Sequence, residues 1–141
     1  MMGSDQEAQP EEWTASLRAR FPIAGSAAYT CFEGWKPILV RLLERLSTIV
    51  KELPSDERRT FTVVELRQKF GTLTVYLSEA PTPAMWAAIG EASEASTVTC
   101  EVCGAAGVLA ERNGWISVRC DTHENWSRFD RIAALVTSRE D

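Results

Sequence analysis

Four side chains in the last third of the sequence have the types and spacing of a metal site. Cys100 and Cys103 are separated by two residues, and Cys120 and His123 repeat that spacing after an interval of sixteen, with the histidine last. Thiolate and neutral imidazole are the donors zinc takes in tetrahedral structural sites, and two short pairs let one turn present two ligands while the intervening chain folds back with the others. A disulfide or a redox Cys-x-x-Cys would account for the first pair, but neither accounts for the matching Cys-x-x-His. The cofactor expected from the spacing is therefore one zinc ion, held by Cys100, Cys103, Cys120 and His123. Three thiolates and an imidazole around a doubly charged ion leave a net charge of about −1. A helix N-terminus and the adjacent Arg119 are expected to offset it.

The flanking residues suit such a site. Gly104 follows the second thiol, where a residue without Cβ takes a left-handed conformation and lets amide groups point at sulfur; Gly107 serves the next turn. Asp121 and Glu124 form a variant capping box, which predicts a helix with His123 in its first turn and Trp126, Phe129, Ile132, Ala133 and Val136 on one apolar face. Between the pairs, Val108 to Glu111 and Trp115 to Arg119 read as a hairpin closed by Arg112-Asn113-Gly114, whose Asn-Gly is a favoured tight turn. A cysteine knuckle, a hairpin and a ligand-bearing helix resemble a treble-clef zinc finger over about residues 97–137. Cys31 has no spaced partner and reads as a buried free thiol.

The rest of the chain must position this module. A short helix is predicted from about Glu11 to Arg20, stopping before Phe21-Pro22 because the residue before proline disfavours helical geometry; Trp13 on it is expected to cover the core. Leu39, Leu42, Leu43, Leu46, Ile49, Val50 and Leu53 recur at helical spacing behind Pro37, against Arg41, Glu44, Arg45, Lys51 and Glu52 on the opposite face, and predict the main core helix. Gly25, Ser26 and Gly34 read as loop, and Pro54 to Arg59 as a polar turn. Phe61 to Lys69, and then Leu73, Val75 and Leu77 alternating with Thr72, Thr74 and Tyr76, predict a β-hairpin turning at Phe70-Gly71. Thr82-Pro83 opens a further helix that ends near Ser96, with Met85, Trp86, Ile89 and Ala92 on its apolar face. The fold class is α+β, with helices around a β-hairpin followed by the treble-clef-like module. The expected organisation is a disordered lead over 1–10, a helix and hairpin body over 11–96, the zinc module packed on it over 97–137, and a tail over 138–141.

With these motifs in place, the chain resembles a group of small, largely uncharacterised proteins of bacteria and their phages. The matching residues are Gly34-Trp35, then Lys69-Phe70-Gly71-Thr72-Leu73 with Tyr76, then Cys100, Cys103 and Gly104 with Gly107, Gly114-Trp115, and Cys120 with His123, covering roughly residues 31–125. The chain departs from the group at Thr74, where a basic residue is frequent, which argues against a charge-based role for that strand. The resemblance implies the zinc site and a phage or mobile-element setting; it brings no activity with it.

Composition narrows the function. The 141 residues, 45% hydrophobic and 25% charged, form an ordinary globular chain long enough to bury a core. No apolar run approaches the roughly 20 residues a membrane helix needs. The polar, acidic start lacks the marks of a secretory signal, so a cytoplasmic location with reduced thiols is expected. An enzyme is disfavoured: the four ligands fill the zinc tetrahedron, and the chain's one histidine is consumed as a ligand, leaving no imidazole for general-base work. Nucleases of the His-Asn-His type need a further histidine, and zinc deaminases place His-x-Glu before Pro-Cys-x-x-Cys, whereas Thr99 precedes Cys100 here. Carboxylates such as Glu91 and Glu94 read as solvated. A net charge of −5, and of −2 over residues 97–141 from five arginines against seven carboxylates, argues against generic nucleic-acid binding. The cluster Arg58, Arg59, Arg67 and Lys69 is the best candidate for touching phosphate. What remains is a protein that binds another protein, as an inhibitor, an immunity partner or a transcription accessory. Trp35 and Trp115, each behind a glycine, are the candidate docking rings, at least one of them partly exposed beside the strand carrying Arg67 and Lys69.

Overall fold

The computed structural model describes residues 12–126. The expected lead, the tail and the apolar face of Phe129, Ile132, Ala133 and Val136 lie outside the described residues. Helix α1 is Glu12–Arg20. It lays Trp13 and Leu17 over the core, with Phe21 just past its end, and sets the Trp13 ring edge-on to Tyr29 at 6.2 Å. Helix α2, Lys36–Lys51, buries Leu39, Leu42, Leu43, Leu46 and Val50, the stripe its periodicity predicts. Its polar side reaches the neighbouring helices through Arg20 to Glu44 at 2.7 Å and Arg45 to Glu91.

Strands β1 (Ala28–Thr30), β2 (Val63–Lys69) and β3 (Thr72–Leu77) form one sheet in the order β1-β2-β3. β2 and β3 make the expected antiparallel hairpin. β1 pairs parallel to β2, Tyr29 opposite Leu66, and corrects the reading of this stretch as loop. Three residues are too few for an alternating pattern to declare itself. The segment read as a polar turn holds a short helix, α3 (Ser55–Thr60), without a buried residue.

Helix α4, Pro83–Ser96, starts where Thr82 accepts a hydrogen bond from the Met85 amide at 3.3 Å. Met85, Ala88, Ile89 and Ala92 face the core. Trp86 does not: at 64% exposure it stands on the solvent side, because one residue beyond Met85 is a rotation of about 100° off the buried stripe. The helix also finishes the sheet, since the Leu73 amide donates to Ser96 Oγ at 2.9 Å and Ser93 Oγ donates to the Leu73 carbonyl at 2.7 Å. Strands β4 (Val108–Arg112) and β5 (Trp115–Arg119) form a separate two-stranded hairpin closed by Asn113-Gly114, and Val118 on β5 belongs to the same buried cluster as α2, β2 and β3. The architecture is mixed α+β, with a cysteine and histidine cluster at the far end of the described chain.

Candidate metal centre

The knuckle carrying Cys100 and Cys103 is shaped by its backbone. The Gly104 amide donates to the Cys100 carbonyl at 2.9 Å and the Cys100 amide to the Ala105 carbonyl at 2.7 Å, while Gly104 takes φ +85° as its place after the second thiol requires. The Ala105 amide is hydrogen-bonded to the Cys103 sulfur. Cys120 ends β5 and enters a 3-10 turn, Asp121–His123, closed by the His123 amide on the Cys120 carbonyl at 3.1 Å. His123 is therefore in a helical turn, although the expected capping box is not formed. Cys120 is the N-cap and makes no side-chain cap bond, and Glu124 pairs instead with Arg112 of β4.

Folding brings the four donors together. Cys120 Sγ lies 3.3 Å and Cys100 Sγ 3.9 Å from His123 Nδ1, Cys103 Sγ and Cys120 Sγ are 3.6 Å apart, and all the donor atoms fall within 4.8 Å of one another. A zinc tetrahedron with sulfur at about 2.3 Å and nitrogen at about 2.0 Å has edges of about 3.5–3.8 Å, so donor set and spacing both fit a metal ion. Desolvation raises the Cys120 thiol, but hydrogen bonds from the His123 side chain and backbone, and from Cys103 and Cys100, bring it down to about 6. Cys100 is buried and Cys103 is exposed, so the ion would sit at the edge of the fold. Cys31 is a free thiol, as read from the sequence, though half-buried and not fully buried; burial and then the nearby Glu101 carboxylate push it up to about 12.

The first Gly-Trp pair joins the body to this knuckle. A Cβ on Gly34 would lie 2.3 Å from the Cys100 carbonyl oxygen, and the Gly34 amide donates to the Glu101 carbonyl at 2.8 Å. Trp35 is wholly buried, and its indole nitrogen donates to the Thr99 carbonyl at 3.0 Å. Trp35 is thus a packing residue and offers a partner no surface, which corrects its candidacy as a docking ring. The second pair differs: Trp115 is 77% exposed at the hairpin end.

Arg67 and Lys69 lie exposed on the outer face of the β1-β2-β3 sheet. Trp115 belongs to the separate β4-β5 sheet. Side chains alternate along a strand, and it is Ile116 and Leu109, of the other face of the β4-β5 hairpin, that meet the β2-β3 turn at Gly71. Gln68 completes the junction, donating to the Ile116 carbonyl at 3.3 Å. Phe70 at the turn is 69% exposed with φ +53°, so Phe70, Leu109 and Ile116 form an apolar surface where the two hairpins meet. A bulky residue in the left-handed slot of a two-residue turn was its one signal in the sequence.

Arg119 also departs from its expected role. Its guanidinium pairs with the buried Glu101 carboxylate at 3.0 Å, so its charge is already matched before it can offset thiolates. Among the described residues no helix is long and apolar enough to cross a membrane. Comparison of the chain with family models, with curated proteins and with solved structures gave no match, so the metal centre rests on its own geometry.

Proposed function

We propose that the chain is a non-enzymatic protein whose treble-clef-like module is held by one structural zinc ion, and that it acts by binding another protein. The observation that carries the reading is the donor set: three thiols and the chain's one histidine gather within 4.8 Å, four donors that would fill a zinc tetrahedron and leave no imidazole to act as a base. Sulfur-rich closed sites stabilise folds, whereas catalytic zinc sites keep a position for water. The partner surface is supported by Trp115 and by the Phe70, Leu109 and Ile116 junction, since exposed aromatic rings and clustered aliphatic side chains supply binding energy in protein interfaces. The expected phage or mobile-element setting is compatible with an inhibitor or immunity-type role.

Elemental analysis of the purified chain should find one zinc per molecule, and Cys100→Ser or His123→Ala should abolish it. A zinc-free wild-type chain with titratable thiols would end the reading. Trp115→Ala should weaken capture of the partner from the native host while zinc content and melting stay as in the wild type; unchanged capture would remove Trp115 from the interface.

A further inference from the structure

Glu101 is a carboxylate at 1% exposure, inside a knuckle whose two ends are metal ligands. Its backbone is fixed on both sides: the amide donates to the Val118 carbonyl at 3.1 Å and the carbonyl accepts from Gly34. Its side chain is then divided among three residues of two strands. Oε1 accepts from Arg119 at 3.0 Å, and Oε2 accepts from Gln68 of β2 at 3.0 Å and from the Val118 amide of β5 at 3.4 Å.

Arg119 extends the connection to the other ligand pair. It immediately precedes Cys120, and its second terminal nitrogen donates to the Trp126 carbonyl and, at 3.5 Å, to the His123 carbonyl. The Trp126 ring covers the guanidinium at 5.0 Å and meets Phe32 edge-on. One buried ion pair therefore links the residue after Cys100, the residue before Cys120 and the backbone of His123. A buried pair is a weak source of stability, because desolvating both charges offsets their attraction. Its position between the two halves of a ligand set suits a different task, since groups outside the coordination shell fix ligand orientation and so set metal affinity.

We propose that Glu101 and Arg119 are positioning residues for the metal centre: together they hold the Cys100-Cys103 knuckle and the Cys120-His123 turn at ligand distance before the ion binds, and through Gln68 they tie that spacing to the β2-β3 hairpin. The inference rests on the metal reading above and adds residues that touch no ligand sulfur. Its opposite is that the pair is only a packed element of the fold.

The test uses the full chain with Glu101→Gln, with Arg119→Lys, and with both positions changed to Gln. Zinc affinity is measured by competition with a chromophoric chelator, and the cobalt(II) complex supplies a ligand-field spectrum. Glu101→Gln should lose about tenfold to a hundredfold in zinc affinity, the range seen when such outer groups are removed, and its cobalt bands should weaken away from the tetrahedral pattern. Arg119→Lys keeps the charge pair but cannot span Glu101 and two carbonyls at once, so it should fold and still lose affinity. The double change leaves no unpaired buried charge and should lose affinity as well. Wild-type affinity and spectrum in the variants that fold, with only a lower melting temperature, would overturn the assignment. If Glu101→Gln fails to fold, Arg119→Lys and the double variant decide by the same criterion. A wild-type chain that takes up neither zinc nor cobalt would remove the metal reading itself, an outcome distinct from variants that bind as well as the wild type.

Discussion

Single residues at the contact between body and knuckle carry constraints out of proportion to their size. Gly34 has no room for even a methyl group, since the nearest atoms to its missing Cβ are the backbone of Cys100 and Glu101 at 2.3–2.6 Å. Backbone cannot swing aside as a side chain can, so Gly34→Ala should cost about 1–3 kcal/mol in a urea titration and lower zinc retention together with stability. Loss of stability with normal zinc retention would mean that the knuckle tolerates the shift. The four clustered donors were legible from spacing alone, because short Cys-x-x-Cys and Cys-x-x-His pairs present two donors from one turn whatever fold surrounds them. Glu101 was not legible, since nothing in its own neighbourhood marks a carboxylate between two cysteines as buried. Its environment is built by Gln68 and Arg119, 33 and 18 residues away. Cys31 shows the same limit: its isolation in the sequence suggested a free thiol, but its proximity to Glu101, which helps keep it protonated, is a product of folding.

At the scale of elements, helices with strong periodicity and hairpins with turn chemistry were readable, and elements made by long-range pairing were not. α2 and the β4-β5 hairpin follow from local pattern, while β1 exists because β2, more than thirty residues later, supplies its hydrogen bonds. Trp86 was misplaced for a related reason: an apolar residue beside a stripe looks like part of it until the axis of the helix is fixed by its neighbours. The β2-β3 turn is the element most open to test. Phe70 and Gly71 both have positive φ, the geometry that Asn-Gly fills easily and a bulky side chain resists. Phe70→Asn should therefore stabilise the chain by about 1 kcal/mol, seen as a rise of roughly 3–5 °C in melting temperature. It should also weaken partner binding if the strained ring is kept for contact, a trade of stability for function. A variant that melts lower than the wild type would show that Phe70 packs on Leu109 and Ile116 strongly enough to outweigh the strain.

For the whole molecule, charge decides which partners are compatible with the fold. The outer face of the three-stranded sheet carries Arg67 and Lys69, but Glu65 stands on the same face and binds Thr30 at 2.8 Å, so the strands present no continuous basic stripe. At the β4-β5 hairpin and the knuckle, Arg112 and Arg119 are each paired with a carboxylate, Glu124 and Glu101. These pairings keep two cations of a chain of net charge −5 from displacing counterions on duplex DNA. Sequence-independent binding draws nearly all its free energy from that displacement, and each phosphate neutralised adds about 0.9 to the slope of log affinity against log salt. The two cations of the outer sheet face, Arg67 and Lys69, would give a slope of about 2, too small to hold a complex against physiological salt. The zinc-loaded chain should give no gel shift with a 30-base-pair duplex at micromolar concentration in about 0.15 M salt. A shift under those conditions that vanishes as salt rises, and that Arg67→Glu with Lys69→Glu abolishes, would place nucleic acid ahead of protein as the partner. A shift that survives high salt would point instead to contacts with bases, for which Trp115, Phe70 and Trp86 are exposed aromatic rings able to stack.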